Sequence, residues 1–88
     1  MEAVLRACLA VGAALHALRR GAPGPSVVAR YDQATAAVRD LPAGAFADAL
    51  RRVLDEIDRC RRNDHRASAG LDSAVAAAVS TLASNAQA

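Results

Sequence analysis

Residues 45–62 read AFADALRRVLDEIDRCRR. Phe46, Leu50, Val53, Ile57 and Cys60 follow one another at alternating steps of four and three, and Leu54 widens the stripe. Side chains at that spacing line one face of an α-helix, because 3.6 residues complete a turn. The other faces carry Asp48, Arg51, Arg52, Asp55, Glu56, Asp58, Arg59, Arg61 and Arg62. Asp48–Arg52, Asp55–Arg59 and Asp58–Arg62 stand four apart with the acid first, the better orientation, whereas Arg51–Asp55 and Arg52–Glu56 run the other way. At about 0.2–0.5 kcal/mol each, such pairs support a helix without creating it. The apolar stripe needs a partner surface, and whether that lies in this chain or in another is the question the remaining residues must answer.

Eighty-eight residues make one small domain, residues 1–88, in which burial is incomplete and stability marginal. Apolar residues make up 53% of the chain, but much of that is alanine, with one Phe, one Tyr and no Trp. A core of alanines and a few Leu and Val buries little area at roughly 25 cal/mol per Å². Oligomerisation or a partner protein is therefore a natural way to complete it. Ala and Arg are strong helix formers, and β-branched residues never alternate over a strand length, so the chain reads as all-α. The net charge of +2, with Arg and acids interspersed, is no nucleic-acid signature. The cationic residues are all Arg with no Lys, which together with the alanine content reads as the coding bias of a GC-rich bacterium, with a GC-rich virus as the alternative.

Gly and Pro divide the chain. Residues 2–20 form a first helix on Val4, Cys8, Val11, Leu15 and Leu18, broadened by Leu5 and Leu9. Arg19 and Arg20 suit its C-terminal turn, and Gly21 fits a left-handed stop. Gly12 lies inside this helix at a cost of about 1 kcal/mol relative to Ala, and a close helix approach is one reason to tolerate it. GAPGP, residues 21–25, is a stiff connector short enough to fold the next helix back. Ser26 then caps a second helix over 26–41, on Val27, Tyr31, Ala34, Val38 and Leu41. Pro42 ends it and opens the third helix, 43–62.

Two readings stand beyond Asn63. In one, the polar Asn63-Asp64-His65 stops the helix, and Asp64 caps a fourth that runs over 66–84. In the other, the four-three register continues through Asp64, Ala67, Leu71, Ala74, Ala78 and Thr81, merging the last two helices into one. Asp64 in the seam and Gly70 in the interior argue for the break. Leu71, Val75, Val79 and Leu82 are the larger apolar residues of this last segment, and the polar tail over 85–88 is expected to fray. The expected architecture is a small antiparallel bundle of three to four helices, with coiled-coil-like seams. Its interaction and packing stripe comprises Phe46, Leu50, Val53, Ile57, Cys60, Leu71, Val75, Val79 and Leu82.

Residues able to do chemistry are few. Cys8 and Cys60 both fall on apolar faces and read as buried thiols in a reducing cytosol; a disulfide between the first and third helices is the alternative. No CxxC or paired histidines accompany them, so no metal site is expected. His16 and His65 have no nucleophile at a suggestive spacing, and no glycine-rich phosphate loop occurs. Gly70-Leu71-Asp72-Ser73 resembles the short motif at which acyl carrier proteins take phosphopantetheine, which would make Ser73 the attachment site. Those carriers place the serine at the start of a middle helix with further helices to come, whereas Ser73 falls in the last segment of this chain. Asp72 and Ser73 are read instead as first-turn polar residues. Arg59, Arg61, Arg62 and Arg66 cluster near the joint, interleaved with acids and without an aromatic residue to stack on a base. The apolar run over 7–17 is too short to cross a bilayer, which takes about 20 residues. Glu2 opposes the basic start of a signal peptide.

The functional expectation is a non-enzymatic, cofactor-free helical protein–protein interaction module. It would act as a small cytoplasmic subunit, adaptor or chaperone whose partner is a second copy or another helical protein. A subunit of a helical filament or secretion apparatus is one alternative. A helix-turn-helix DNA-binding regulator is another, though acids at 48, 55, 56 and 58 would face phosphate.

Overall fold

The computed structural model describes residues 2–87, with side chains described through Ser84. Four helices follow one another among these residues: α1, Glu2–Arg19; α2, Gly24–Arg39; α3, Ala45–Arg62; and α4, Ala69–Gln87. Short connections return the chain each time, so successive helices run antiparallel. α1, α2 and α3 pack mutually, while α4 lies against α3 alone among the helix backbones. The radius of gyration of 12.3 Å matches the roughly 12 Å of a folded chain of this length. That compactness comes from the break after α3, which excludes a continuous helix through residue 70.

The break is a stop motif that the sequence only hinted at. Asp64 takes a left-handed conformation at φ 58°. The His65 N–H then donates to the Cys60 carbonyl at 2.8 Å, and the Asp64 N–H to that of Arg61 at 3.4 Å. These are the paired bonds of a Schellman ending, which satisfy carbonyls the helix leaves free. The same device ends α1: Gly21 sits at φ 74°, and Ala22 and Gly21 donate to Ala17 and Leu18 at 3.0 and 3.2 Å. The expected glycine stop is thus present, and α1 itself ends at Arg19, one residue before the expected boundary. α4 begins at Ala69 and not 66, because Ser68 caps it: its Oγ accepts the Leu71 N–H at 3.0 Å. The fraying expected over 85–88 falls where side chains are not described; the backbone of α4 is helical to Gln87, and Ala88 lies outside the described residues.

Three other boundaries move. α2 starts at Gly24, so Gly24 and Pro25 belong to the helix and not to the connector. Proline is at home in a first turn, where its missing N–H has no partner to lose. Ser26 is consequently no cap; its N–H donates to the Pro23 carbonyl at 2.9 Å. α2 ends at Arg39, and Leu41, though past the helix, is buried. α3 begins at Ala45, leaving Pro42 in the connection.

The core sits on α3. Phe46, Leu50, Val53, Ile57 and Cys60 are all buried, with Leu54 and the small Ala47 and Ala49 beside them. Leu71 of α4 is wholly enclosed against this face. α1 departs from expectation. Its most buried residues are Ala7, Ala14 and Ala17 along with Val11 and Leu18, whereas Val4, Cys8 and Leu15 are only half-buried and Leu5 and Leu9 are exposed. Alanines thus fill the most buried positions of α1, and of its larger side chains Val11 and Leu18 are the buried ones. No polar or charged side chain is buried among the described residues.

Candidate functional site, an apolar groove between the first and last helices

α1 and α4 flank α3 without their backbones meeting. At one end they are tied by an ion pair, Arg19 Nη2 to Asp72 Oδ1 at 2.8 Å. Away from it a groove of about 250 Å³ opens. Its floor is Phe46, Leu50 and Val53 of α3; one wall is Cys8, Val11, Gly12 and Leu15 of α1; the other is Val75, Ala78, Val79 and Leu82 of α4. No charged group lines it. The exposed large apolar side chains of the described residues are Leu5, Leu9, Val79 and Leu82, at 59, 66, 62 and 37% exposure. Helical spacing places Leu5 and Leu9 on the outer edge of the α1 wall, three residues from Cys8 and Gly12 respectively.

Along the groove, Val79 and Leu82 are exposed and Leu15 and Val75 half-buried, while Ala7, Ala14 and Ala78 are buried. Ala78 is buried while Val79 beside it is not. The expected stripe therefore divides. Phe46, Leu50 and Val53 form the floor; Ile57, Cys60 and Leu71 lie inside the core; Val75, Val79 and Leu82 form the α4 wall. Cys8, Leu15 and Gly12 complete the site, with Leu5 and Leu9 at its edge. Periodicity assigns these α1 residues to internal packing, because it reports a face but not what covers it. Gly12 is not held by a close approach within the chain: it is exposed, and a Cβ built there would meet nothing within 4 Å.

The remaining chemistry is accounted for by structure. Cys8 and Cys60 are free thiols, so the disulfide alternative is not formed. Burial pushes the Cys8 thiol up, disfavouring the reactive thiolate. Cys60 lies in the core and directs its Sγ to the Ser68 Oγ at 3.6 Å. His16 and His65 are both exposed, and His65 meets Cys60 through its backbone alone in the bonds described. Ser73 is exposed on α4. No group of His, Cys, Asp and Glu suited to a metal occurs among the described residues, and none of their helices is long and apolar enough to cross a membrane.

The arginines near the joint are mostly engaged. Arg61 Nη2 lies 2.6 Å from Asp58 Oδ1, Arg62 Nε 3.0 Å from Asp58 Oδ2, and Arg59 Nη1 3.4 Å from Glu56 Oε1. Asp48 joins Arg51 at 3.1 Å. The expected Asp58–Arg62 pair thus forms, while Asp48 and Arg59 choose partners three residues away and not four, both spacings being within reach on a helix. The Arg61 hydrogen bond, with the charges of both arginines, holds the Asp58 carboxyl below the usual range. Arg66 lays its guanidinium over Gly21.

Compared with known proteins, the chain matches no family model, no curated protein and no solved structure.

Proposed function

We propose that this chain is a non-enzymatic helical interaction module, a small subunit, adaptor or chaperone whose α1–α4 groove receives apolar side chains from a partner helix. The observation that carries this reading is the groove itself, an uncharged cleft with Val79 and Leu82 exposed on its wall. Its volume falls below the roughly 300–1,000 Å³ typical of small-molecule pockets, and it offers no polar group to orient a ligand except one protonated thiol. It is suited to a few aliphatic knobs, the way helices read one another through anchors at i, i+3, i+4 and i+7.

The DNA-binding alternative draws no support from this geometry. α3 packs against all three other helices, and its exposed edge mixes Asp48 and Asp55 with Arg51, Arg52, Arg59 and Arg62.

The test is titration of the folded chain with an anilinonaphthalene sulfonate probe. Wild type should bind it at a saturable site, and Val79→Glu should abolish binding while leaving helicity and the thermal transition unchanged. Absence of binding by the wild type at concentrations where it is monomeric would defeat the reading.

A further inference from the structure

A second site, independent of the groove, lies where the α1–α2 and α3–α4 connections come together. We propose that it binds a phosphate group, free or carried as a monoester on a small molecule. The two connections enclose a cavity of about 240 Å³ that shares no residue with the groove. Gly21 and Gly24 line it from the first connection, and Arg61, Asp64, His65 and Arg66 from the second. Its volume is below the roughly 300–1,000 Å³ of pockets that enclose drug-sized ligands and accommodates a small anion.

Three donors converge on this cavity. Arg61 is the anchored one: its Nη2 is held by Asp58 Oδ1 at 2.6 Å, while its Nε is enclosed and has no hydrogen-bond partner among the described residues. An enclosed donor without an acceptor is costly, and an anion in the cavity supplies one from outside the chain. Arg66 is the uncommitted one. It enters none of the ion pairs of the described residues. Its guanidinium rests on the backbone of Gly21, where a Cβ would stand 2.8 Å from its Cζ. The glycine that stops α1 therefore also seats Arg66 at the cavity. The third donor is the Gly24 N–H. α2 starts there with no side-chain cap and no acid in its first turn, and this N–H takes no part in the backbone bonds of the turns and caps. A helix start with an unclaimed N–H favours an anion and adds to the two guanidinium groups.

The surrounding charges agree. Asp58 is occupied by Arg61 and Arg62, and Asp64 is the one acid of the lining. Arg61, Arg62 and Arg66 outnumber these two acids by one, and His65 adds to the excess when protonated. The carbonyls of Ala17, Leu18, Cys60 and Arg61, which would repel an anion, already accept bonds in the two helix stops. A phosphate offers enough oxygens to accept from Arg61, Arg66 and Gly24 together, and the planar fork of arginine suits it. A carboxylate, with two oxygens, leaves one donor unserved.

Titration of the nitrogen-15-labelled chain at constant ionic strength, followed by the amide and arginine Nε–H resonances, tests the inference. Sodium phosphate should shift Gly21, Gly24 and the Arg61 Nε–H saturably, with a Kd of about 1 mM. Acetate should bind at least about tenfold more weakly, and chloride should leave these resonances in place. Glycerol phosphate should bind as well; tighter binding than inorganic phosphate supports a monoester as the occupant, and weaker binding supports the free anion. Arg66→Gln, at an exposed position, should weaken phosphate by about tenfold with helicity and melting unchanged. Arg61→Gln should remove saturable binding, and Arg66→Gln decides the matter if that variant does not fold. Arg59→Gln, outside the cavity and paired with Glu56, should bind as wild type does. Shifts that stay linear in phosphate overturn the inference, as do equal shifts with acetate or chloride. So does a folded Arg66→Gln that binds like wild type. Equal weakening by Arg59→Gln also overturns it, since it would show a diffuse basic field in place of a site.

Discussion

Gly21 and Asp64 occupy equivalent positions, each the left-handed residue just past a helix, at φ 74° and 58°. Only one is a glycine, and the two therefore respond oppositely to substitution. Gly21→Ala places a Cβ in a conformation that costs an L-residue about 1–2 kcal/mol; the Arg66 guanidinium within 3 Å of that Cβ is a flexible end and can move aside. Asp64→Gly removes the same penalty, softened because Asp tolerates this region, and is partly offset by greater freedom of the unfolded chain. We expect loss of about 1–2 kcal/mol for Gly21→Ala, and for Asp64→Gly a neutral to stabilising change of no more than about 1 kcal/mol; urea unfolding of both variants measures this. Asp58 is the residue with a pH signature. Its carboxyl is held low by the Arg61 hydrogen bond and the neighbouring charges, so its contribution is complete above the ordinary Asp value of about 3.9 and disappears as pH falls through the depressed folded value. Asp58→Asn should cost about 1 kcal/mol at neutral pH, less in high salt, with the gap to wild type closing in acid. A gap that stays constant from pH 7 to strong acid would mean that the carboxylate charge contributes nothing.

At the scale of the element, α4 is the least supported helix. Its backbone packs on α3 alone, its fully or nearly enclosed side chains are Leu71 and Ala78, and its start is held by the Ser68 cap and the Arg19–Asp72 pair. α3 is covered by all three neighbours. Local opening free energy follows buried contacts, so α4 amides should exchange with solvent faster than those of α3, by an order of magnitude or more at mid-helix. Equal protection of the two helices in native-state hydrogen exchange would show that α4 opens only with the whole domain. The start of α4 also shows how a cap escapes notice. Ser68 is a favoured N-cap residue, but it follows Arg66-Ala67, and Asp64 is the more conspicuous candidate in the sequence. In the fold Asp64 closes α3, and Ser68 opens α4.

For the whole molecule, Phe46 connects stability to the groove. It is the chain's one phenylalanine, 8% exposed, set in the groove floor. Phe46→Ala should cost about 3 kcal/mol, the lower end of the usual 3–5, because its cavity opens into an existing cleft instead of forming a sealed void. Urea unfolding gives the cost. A value near zero would mean that the floor carries no packing load. In a chain this small such a loss is a sizeable share of the total stability, which is also why a partner that covers the groove would raise the melting temperature with its concentration.

What the sequence determined by itself was local: helical character, the breaks at Gly21 and Pro42, and the buried face of α3. Each follows from backbone preference or from periodicity within a single segment, and on α3 the apolar stripe was wide enough that any packing had to bury it. The break over 63–68 was legible but ambiguous, because the four-three register continues across it unbroken and the deciding fact is one left-handed residue that is not a glycine. Only the tertiary structure decided which face of α1 and α4 turned inward. Both helices are apolar most of the way round, so periodicity admits several orientations. Packing placed Ala7, Ala14 and Ala78 in the interior, leaving Leu5 and Leu9 exposed and Val79 and Leu82 on the wall of an open groove. A residue's burial depends on what lies opposite it, and in a chain with two such helices that is settled by packing between segments.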